Sequence, residues 1–439
     1  MFENVLGQQP AVQLLCDEIR KGILPPALLF AGPEASGKLT TALEAARILS
    51  CMEMGSWTCP CESCRRHKEL AASDLLILGR RDTLLEIKAA ARSLCTSRGK
   101  STRYLFIRAV RKLTARFDPR LWDTDETRFL KAAPILADID EQLSDLTGRY
   151  GTMETIPLEE EAQLEKKTAK ITELCEKLQE DCMYDTLPVN QVRKASAWVR
   201  LMPAGKRKVL IIENADKMQE SARNAFLKIL EEPPEYVTFI LTATRRAAII
   251  PTILSRVRTY LFTEREAVHQ QAVIERVFHD HRFCSALPEQ KIRIVTYLQS
   301  FLPISPAHFK AAAALFWEYC FVRIRQEEKS VPAVLADTVA FYRTENRRPD
   351  LSGGSEPSIA AVLKLLNNCK PRLIYPLFLG SLISFLQEGN RTGQCSPLEL
   401  EQHSAFLRYI RDAMQSVETF NSNPQAALET LTESIIFAL

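Results

Sequence analysis

Glycine is scarce in this sequence, with 15 residues among 439 against 23 prolines. So few glycines, beside abundant Ala, Leu, Glu and Lys, point to a mainly helical chain. An excess of one charge is also missing: 57 Lys and Arg face 54 Asp and Glu, a formal net charge of +3. That balance speaks against a stand-alone DNA-binding domain with a basic stripe, while leaving room for DNA contact within an assembly. No apolar run reaches the roughly 18 residues that a membrane span needs, so no span is expected. Met1-Phe2-Glu3-Asn4-Val5 has neither the basic nor the apolar stretch of a secretion signal, so a cytoplasmic location is expected. No repeat of 20–50 residues stands out.

The remaining composition is that of ordinary globular protein, 46% hydrophobic and 25% charged. At about 100–200 residues per domain, two to four domains are expected. Of the 12 cysteines, four crowd into residues 51–64 and the others are scattered. This grouping favours reduced thiols with one metal knuckle over a disulfide framework.

Val12, Leu15, Ile19 and Ile23 mark an amphipathic helix over 11–24, stopped by Pro25-Pro26. Short apolar runs at 27–31, 75–78, 209–212 and 237–241 suit strands buried on both faces, with helices at about 39–49 and 219–230 between them. The alternation gives an α/β head with a parallel sheet and helices on both faces. Residues 79–208 separate the second and third runs, far more than one crossover needs. We therefore read a long helical insertion at about 85–185, with stripes at Leu136, Ile139, Leu143, Leu146 and at Leu164, Ile171, Leu174, Leu178. Its charge-rich stretch Glu159–Lys177 reads as solvent-exposed helix or helical hairpin. After Phe262 the strand pattern ends. Helices punctuated by Pro303, Pro306, Pro332, Pro371 and Pro376 follow, with a loop near Ser352-Gly353-Gly354-Ser355.

The first strand leads into Gly32-Pro33-Glu34-Ala35-Ser36-Gly37-Lys38, the spacing G-x-x-x-x-G-K between strand and helix that cradles phosphate. The glycines let backbone N–H groups curl round an anion at a helix N-terminus, and Lys38 would reach the outer phosphates. The alternative is a plain glycine-bearing turn. A Ser or Thr normally follows the lysine and ligates magnesium; here Leu39 supplies no oxygen, and Thr40 lies about 100° further round the helix. The strand at 209–212 is followed by Glu213 and Asn214, where such sites keep a metal-supporting Asp and a Glu that activates water. Glu213 could still reach a metal, but Asn214 cannot take a proton, and Asp216 is out of register. ATP and magnesium binding is therefore expected to be weak or absent, and hydrolysis lost.

Glu231-Glu232-Pro233-Pro234, Phe239–Thr244 and Pro251-Thr252-Ile253-Leu254-Ser255-Arg256 make the chain resemble the AAA+ clamp-loader subunits of bacterial DNA polymerase III, the group of delta prime and gamma/tau. Val5–Gln9, Asn214–Met218 and Asn423–Glu429 add to the likeness, which covers about 1–80 and 186–262 well and leaves out 85–185. The resemblance implies an AAA+ P-loop core at 1–263, a small helical lid at 264–302 and an all-α collar at 303–439 for oligomerisation. In that family a Ser-Arg-Cys motif sets an arginine against the neighbouring subunit's nucleotide; Ser255-Arg256-Val257 keeps the arginine. Thr244 falls at a polar sensor position, or is simply a buried strand-end threonine.

The resemblance further implies a subunit that helps load the sliding clamp onto primed DNA beside gamma/tau ATPase subunits and a delta subunit, its own ATPase site degenerate. Polymerisation would belong to other chains, since no polymerase carboxylate constellation is visible. Two other readings are an active gamma/tau-like ATPase and an AAA+-like adaptor that binds another partner through its insertion.

Relatives carry a four-cysteine zinc module spaced C-x8-C-x2-C-x2-C, whereas Cys51, Cys59, Cys61 and Cys64 read C-x7-C-x-C-x2-C. Cys61 and Cys64 have the two-residue turn that presents both sulfurs to one zinc; Cys59 does not, and His67 is the alternative fourth ligand. Such a zinc would be structural. Lys206-Arg207-Lys208 and Arg245-Arg246 read as solvated loop ends rather than DNA contacts. Cys16, Cys175, Cys320 and Cys369 read as core, and Phe316, Trp317, Tyr319 and Phe321 as packing between tail helices.

Overall fold

A computed structural model of the chain describes residues 1–288, 291–345, 356–366, 371–391, 395–420 and 422–439; Cys369 and the Ser352–Ser355 loop lie outside the described residues. Two compact units emerge, Met1–Phe301 and Leu302–Leu439.

The first unit is built on β1 (Ala27–Ala31), β2 (Leu75–Leu78), β3 (Lys208–Ile212), β4 (Val237–Ala243) and β5 (Arg258–Leu261). They form one parallel sheet in the order β2-β3-β4-β1-β5. Four strands lie where continuous apolar runs announce them, and every residue in them is buried. The fifth was not anticipated. It is an edge strand of four residues, of which only Tyr260 is buried, so it has no apolar run to betray it. In register, Ala31 faces Ala243 and Ile212 faces Leu241. The carboxyl ends of β1, β3 and β4 therefore open on one side of the sheet, where ligands bind in open α/β folds.

The helices of this unit are α1 (Gln9–Lys21), α2 (Lys38–Ser50), α3 (Glu62–Lys68), α4 (Leu84–Ser97), α5 (Lys100–Thr114), α6 (Thr127–Tyr150), α7 (Glu161–Lys177), α8 (Val189–Val199), α9 (Glu220–Glu231), α10 (Pro251–Leu254), α11 (Ala267–Val277), α12 (His281–Ser285) and α13 (Ile294–Gln299). Alternate strand residues divide between two cores. Leu28, Phe30, Ile77 and Ile211 pack with Leu15 of α1 and Leu43 and Ala46 of α2. Leu29, Leu76, Leu210 and Leu241 share a core with Leu94, Phe106, Ile139, Leu164 and Ile171 from α4 to α7.

The stretch read as a helical insertion at about 85–185 thus forms a layer over one sheet face, the charge-rich Glu159–Lys177 part included. Both apolar stripes point inward, with Leu136 and Leu174 only partly buried, while Glu165, Lys166 and Lys170 of α7 stay exposed. Trp122 closes this layer, its ring stacked on Phe117, Phe129 and Tyr184 at 5.3, 5.8 and 5.5 Å. Its indole N–H donates to the Arg116 carbonyl at 2.9 Å. The segment 264–302, expected as a small helical lid, gathers Ile274, Phe278, Ile294 and Tyr297 round Ala89 of α4 and through Phe301 belongs to the first unit.

The described residues of the second unit form α14 (Pro306–Gln326), α15 (Ala333–Glu345), α16 (Ile359–Leu366), α17 (Pro371–Arg391), α18 (Pro397–Phe420) and α19 (Pro424–Phe437). Pro306 and Pro371 open helices, as proline at a first turn can. Pro376 was expected to divide two helices but lies inside α17. One backbone hydrogen bond is lost there, against the burial of Tyr375, Phe378, Leu379 and Leu382. Phe316, Trp317, Cys320 and Phe321 are buried, Trp317 against Phe406 and Phe316 against Phe378; Tyr319 is only half-buried.

Replacing Trp122 by Ala is expected to lower the unfolding free energy by about 3–5 kcal/mol, the range for deleting a buried aromatic. A shift of the urea midpoint at unchanged slope would show it.

Candidate nucleotide site, exposed arginine and cysteine cluster

Residues 32–38 form a tight loop between β1 and the first turn of α2. Gly32 lies so close to the end of β5 that a Cβ there would stand 2.1 Å from the Phe262 carbonyl. Gly37 has φ 96°, a left-handed conformation that favours glycine. Lys38 turns back on its own loop: Nζ donates to the carbonyls of Gly32 at 2.6 Å and of Pro33. Burial first, and then the Arg81 guanidinium, lower the Lys38 ammonium to about 8. Leu39 is buried in the α2 core. Thr40, half-buried, forms no side-chain bond that brings it to the loop, whereas Thr41 Oγ1 donates to the Gly37 carbonyl at 3.0 Å.

At the end of β3, Glu213 is buried and its two carboxylate oxygens are spoken for. Oε2 accepts from Arg116 and Oε1 from Arg81 at 3.4 Å. Arg81 also meets Glu86 at 3.1 Å, and Glu86 pairs with Lys112. Three cations thus enclose two carboxylates beside the loop. Burial would raise the Glu86 carboxyl, but Lys112 and Arg81 outweigh it and bring it down to about 2. Asn214 adopts a left-handed conformation, φ 51°; its side-chain amide donates to the Arg80 carbonyl at 2.7 Å. Thr244, half-buried, donates from both its hydroxyl and its backbone N–H to Asp216 Oδ2, so Asp216 is part of the strand-end arrangement after all. Its other oxygen, Oδ1, is buried without a donor.

Arg256 follows α10 and is exposed. Nη1 donates to the Thr252 carbonyl at 2.8 Å, and Nη2 meets Glu231 at the end of α9 at 3.2 Å. Among the described residues it makes no hydrogen bond or ion pair with 32–38.

Cys51, just past α2, and Cys59, Cys61 and Cys64, around the start of α3, bring their sulfurs within 4.8 Å of one another. Zinc–sulfur bonds of about 2.3 Å in a tetrahedron imply sulfur separations near 3.8 Å. The Cys51 sulfur stands 3.6 Å from that of Cys59 and 3.9 Å from that of Cys61, so this donor set could hold a zinc ion. Cys59, the position the spacing left open, is buried within the cluster; His67 is buried too but is outside the group. Burial opposes ionisation of Cys61, yet backbone N–H groups of Met52 and Cys64 and the thiols of Cys59 and Cys64 bring it down to about 6. Arg47, buried beside the cluster, donates to Cys64 Sγ at 2.9 Å and to Glu44 at 2.6 and 3.0 Å.

Several contacts around the loop and the cysteines had no sequence signal. Lys206, read as solvated, donates to the Cys51 carbonyl at 2.8 Å, and Lys208 is buried against Trp198; Arg245 and Arg246 are exposed. Arg81 and Arg116, which reach Glu213, and Arg265, which reaches Ala35 of the loop, have no sequence signal because each comes from a distant segment. Gln8 likewise clamps the end of β5, exchanging hydrogen bonds with the Thr263 backbone at 2.8 and 3.2 Å.

Comparison with known proteins adds a family. The family model described as "DNA polymerase III, delta subunit" matches residues 7–117 and 155–266. It skips 118–154, a shorter gap than the 85–185 expected to lie outside the resemblance. A segment of 70 residues is 36% identical to DNA polymerase III subunit gamma/tau of Mycobacterium bovis, covering 16% of this chain and 12% of that protein. Over 90 residues it is 36% identical to subunit tau of Bacillus subtilis, 20% of this chain and 16% of the relative. Over 69 residues it is 39% identical to subunit delta' of Pseudomonas aeruginosa, 16% and 21% respectively. The chain therefore spans only a small part of these relatives. A gamma subunit-related protein from Thermotoga maritima aligns with 57% of this chain and 79% of its own at 18% identity, with a TM-score of 0.30.

Glu86→Gln is expected to cost about 3–5 kcal/mol in denaturant titrations at neutral pH, because it leaves the mostly buried Lys112 without a carboxylate partner. A carboxyl lowered on folding binds its proton more tightly in the unfolded chain. Its stabilisation is complete above the unfolded value of 4.5 and lost as pH falls toward 2. The variant should flatten that acid limb.

Proposed function

Since the chain belongs to the family described as DNA polymerase III, delta subunit, with an AAA+ core and a helical C-terminal unit, we propose that it is a clamp-loader subunit. On this reading it hydrolyses no ATP and offers Arg256 to a neighbour's nucleotide. It would work beside gamma/tau ATPase subunits and a delta subunit, and reach the sliding clamp and primed DNA through that assembly.

The observation that carries this reading is a contrast between two sites. The chain's own water-activating position is Asn214, its metal-supporting Glu213 is held by two guanidinium groups, and Leu39 is packed in the core. Arg256, by contrast, is exposed; its Nη1 stays on its own turn, donating to the Thr252 carbonyl, and its Nη2 is held by one surface ion pair with Glu231. Such a pair is worth about 0–1 kcal/mol, so the guanidinium can turn from Glu231 to a phosphate on an adjoining subunit at little cost. There it would stabilise the negative charge that spreads over the transferring phosphoryl group, an effect of about 10³–10⁵ in GTPases. The rival reading, a working ATPase that enlists Glu213 and Thr40, requires Glu213 to abandon both Arg116 and Arg81. Thr244, tied to Asp216, would sense nothing beyond its own strand end unless that pair opened.

We also propose one structural zinc at Cys51, Cys59, Cys61 and Cys64. Zinc would supply no reaction chemistry; it would tie the exit of α2 to the start of α3, where Cys61 already caps the helix by accepting from the Cys64 N–H.

In a complex reconstituted with partner ATPase subunits, Arg256→Ala should leave assembly intact and lower DNA-stimulated turnover tenfold or more; unchanged turnover would refute the assignment. Metal analysis of the purified chain should find one zinc per chain, lost in Cys51→Ser. Wild-type protein purified without chelator and free of zinc would count against the zinc site.

A further inference from the structure

Arg47 lies one turn before Cys51, so the two share a face of α2. Its side chain is buried, and each of its five N–H groups has an acceptor. Nε and Nη2 donate to the two carboxylate oxygens of Glu44 at 3.0 and 2.6 Å. Nη2 also donates to the Gly55 carbonyl at 2.8 Å, and Nη1 serves the Ser56 carbonyl and Cys64 Sγ, both at 2.9 Å. One guanidinium thus joins α2, the middle of the shortened stretch between Cys51 and Cys59, and the last cysteine of the cluster. Gly55 has φ 71°, and a Cβ there would stand 3.1 Å from Ile48 Cγ2, so the bend is pressed against α2 as well as bonded to it.

The sulfurs differ in what donates to them. Cys51 accepts from the Glu53 N–H at 3.3 Å and Cys61 from the Cys64 N–H at 3.4 Å. Both donors belong to the backbone of the cysteine segment itself. Cys64 is fully buried and accepts from Arg47. Among the described residues, Arg47 is the one side chain outside the four cysteines that donates to a sulfur of the cluster.

We propose that Arg47 is the positioning residue of the zinc site: its guanidinium holds the Gly55–Ser56 bend on α2 and fixes the Cys64 sulfur by an N–H···S bond. The inference rests on the zinc reading of the four cysteines. Glu44 neutralises the guanidinium, so the pair brings no net charge to the site; what reaches the sulfur is a hydrogen bond of fixed direction. Such a bond from a charged donor is about twice as strong as one between neutral groups. Partners one step removed from a metal change its affinity by about 10–100-fold. Lysine is no substitute, because a single ammonium lacks the planar fork that reaches a carboxylate, two carbonyls and a sulfur together.

The test compares the full wild-type chain with Arg47→Met and with the paired variant Glu44→Leu/Arg47→Met. Zinc affinity is read by competition with a chromophoric chelator, and the cobalt(II)-loaded proteins are compared by their sulfur-to-cobalt charge-transfer absorption. Arg47→Met should bind zinc about 10–100-fold more weakly and move the charge-transfer band to lower energy, because a sulfur that loses a hydrogen bond holds its electrons less tightly. A merely structural loss would weaken binding without moving that band. The paired variant removes both buried charges at once, a change that folding often tolerates, and should show the same weakening and the same shift. In either variant that keeps the wild-type circular dichroism, an affinity within about threefold of wild type or an unmoved band overturns the role of Arg47. Wild-type protein that binds no zinc overturns the zinc reading itself, whereas zinc bound by wild type together with either of those results overturns this inference alone.

Discussion

The contact between Glu213 and its two guanidinium partners organises the first unit of this protein. Glu213 ends a central strand, Arg81 lies just beyond the neighbouring one, and Arg116 sits in a short turn after α5. A carboxylate at this depth is tolerable only if paired, because the cost of desolvating an isolated charge far exceeds what packing can return. The pairing therefore binds the layer of α4 to α7 to the ligand-facing edge of the sheet. Trp122 reinforces it by holding the Arg116 backbone from the other side.

The same contact changes what the phosphate loop can do. A carboxylate that receives a guanidinium on each oxygen is already charge-balanced, so a metal would have to loosen one of those pairs to use it. Lys38 responds in the way expected of a buried ammonium near another positive charge, with its affinity for a proton reduced. Outside this site Arg256 lies exposed, meeting Glu231 at 3.2 Å and donating to the Thr252 carbonyl at 2.8 Å.

The cysteine cluster follows another logic. Three of its cysteines are buried and all four sulfurs converge within 4.8 Å, even though the chain between Cys59 and Cys61 is one residue shorter than a two-residue turn. The backbone absorbs the difference because Cys51 approaches from the far end of α2, so the geometry does not rest on local spacing alone.

Much of this was legible in the chain itself. Four strands, the loop from Gly32 to Lys38, the missing hydroxyl at Leu39, the missing base at Asn214, the crowding of four cysteines and the family likeness all rest on local order, and local order is what hydrophobic periodicity and short motifs record. The edge strand β5, the burial of the supposed insertion and the cations round the loop were decided only in three dimensions. Arg116 meets Glu213 across 97 positions, Arg81 across 132, and Arg265 returns to Ala35 across 230. A charge paired over such distances leaves no periodic trace, since what selects it is the low polarity of the place where the folded chain sets it down.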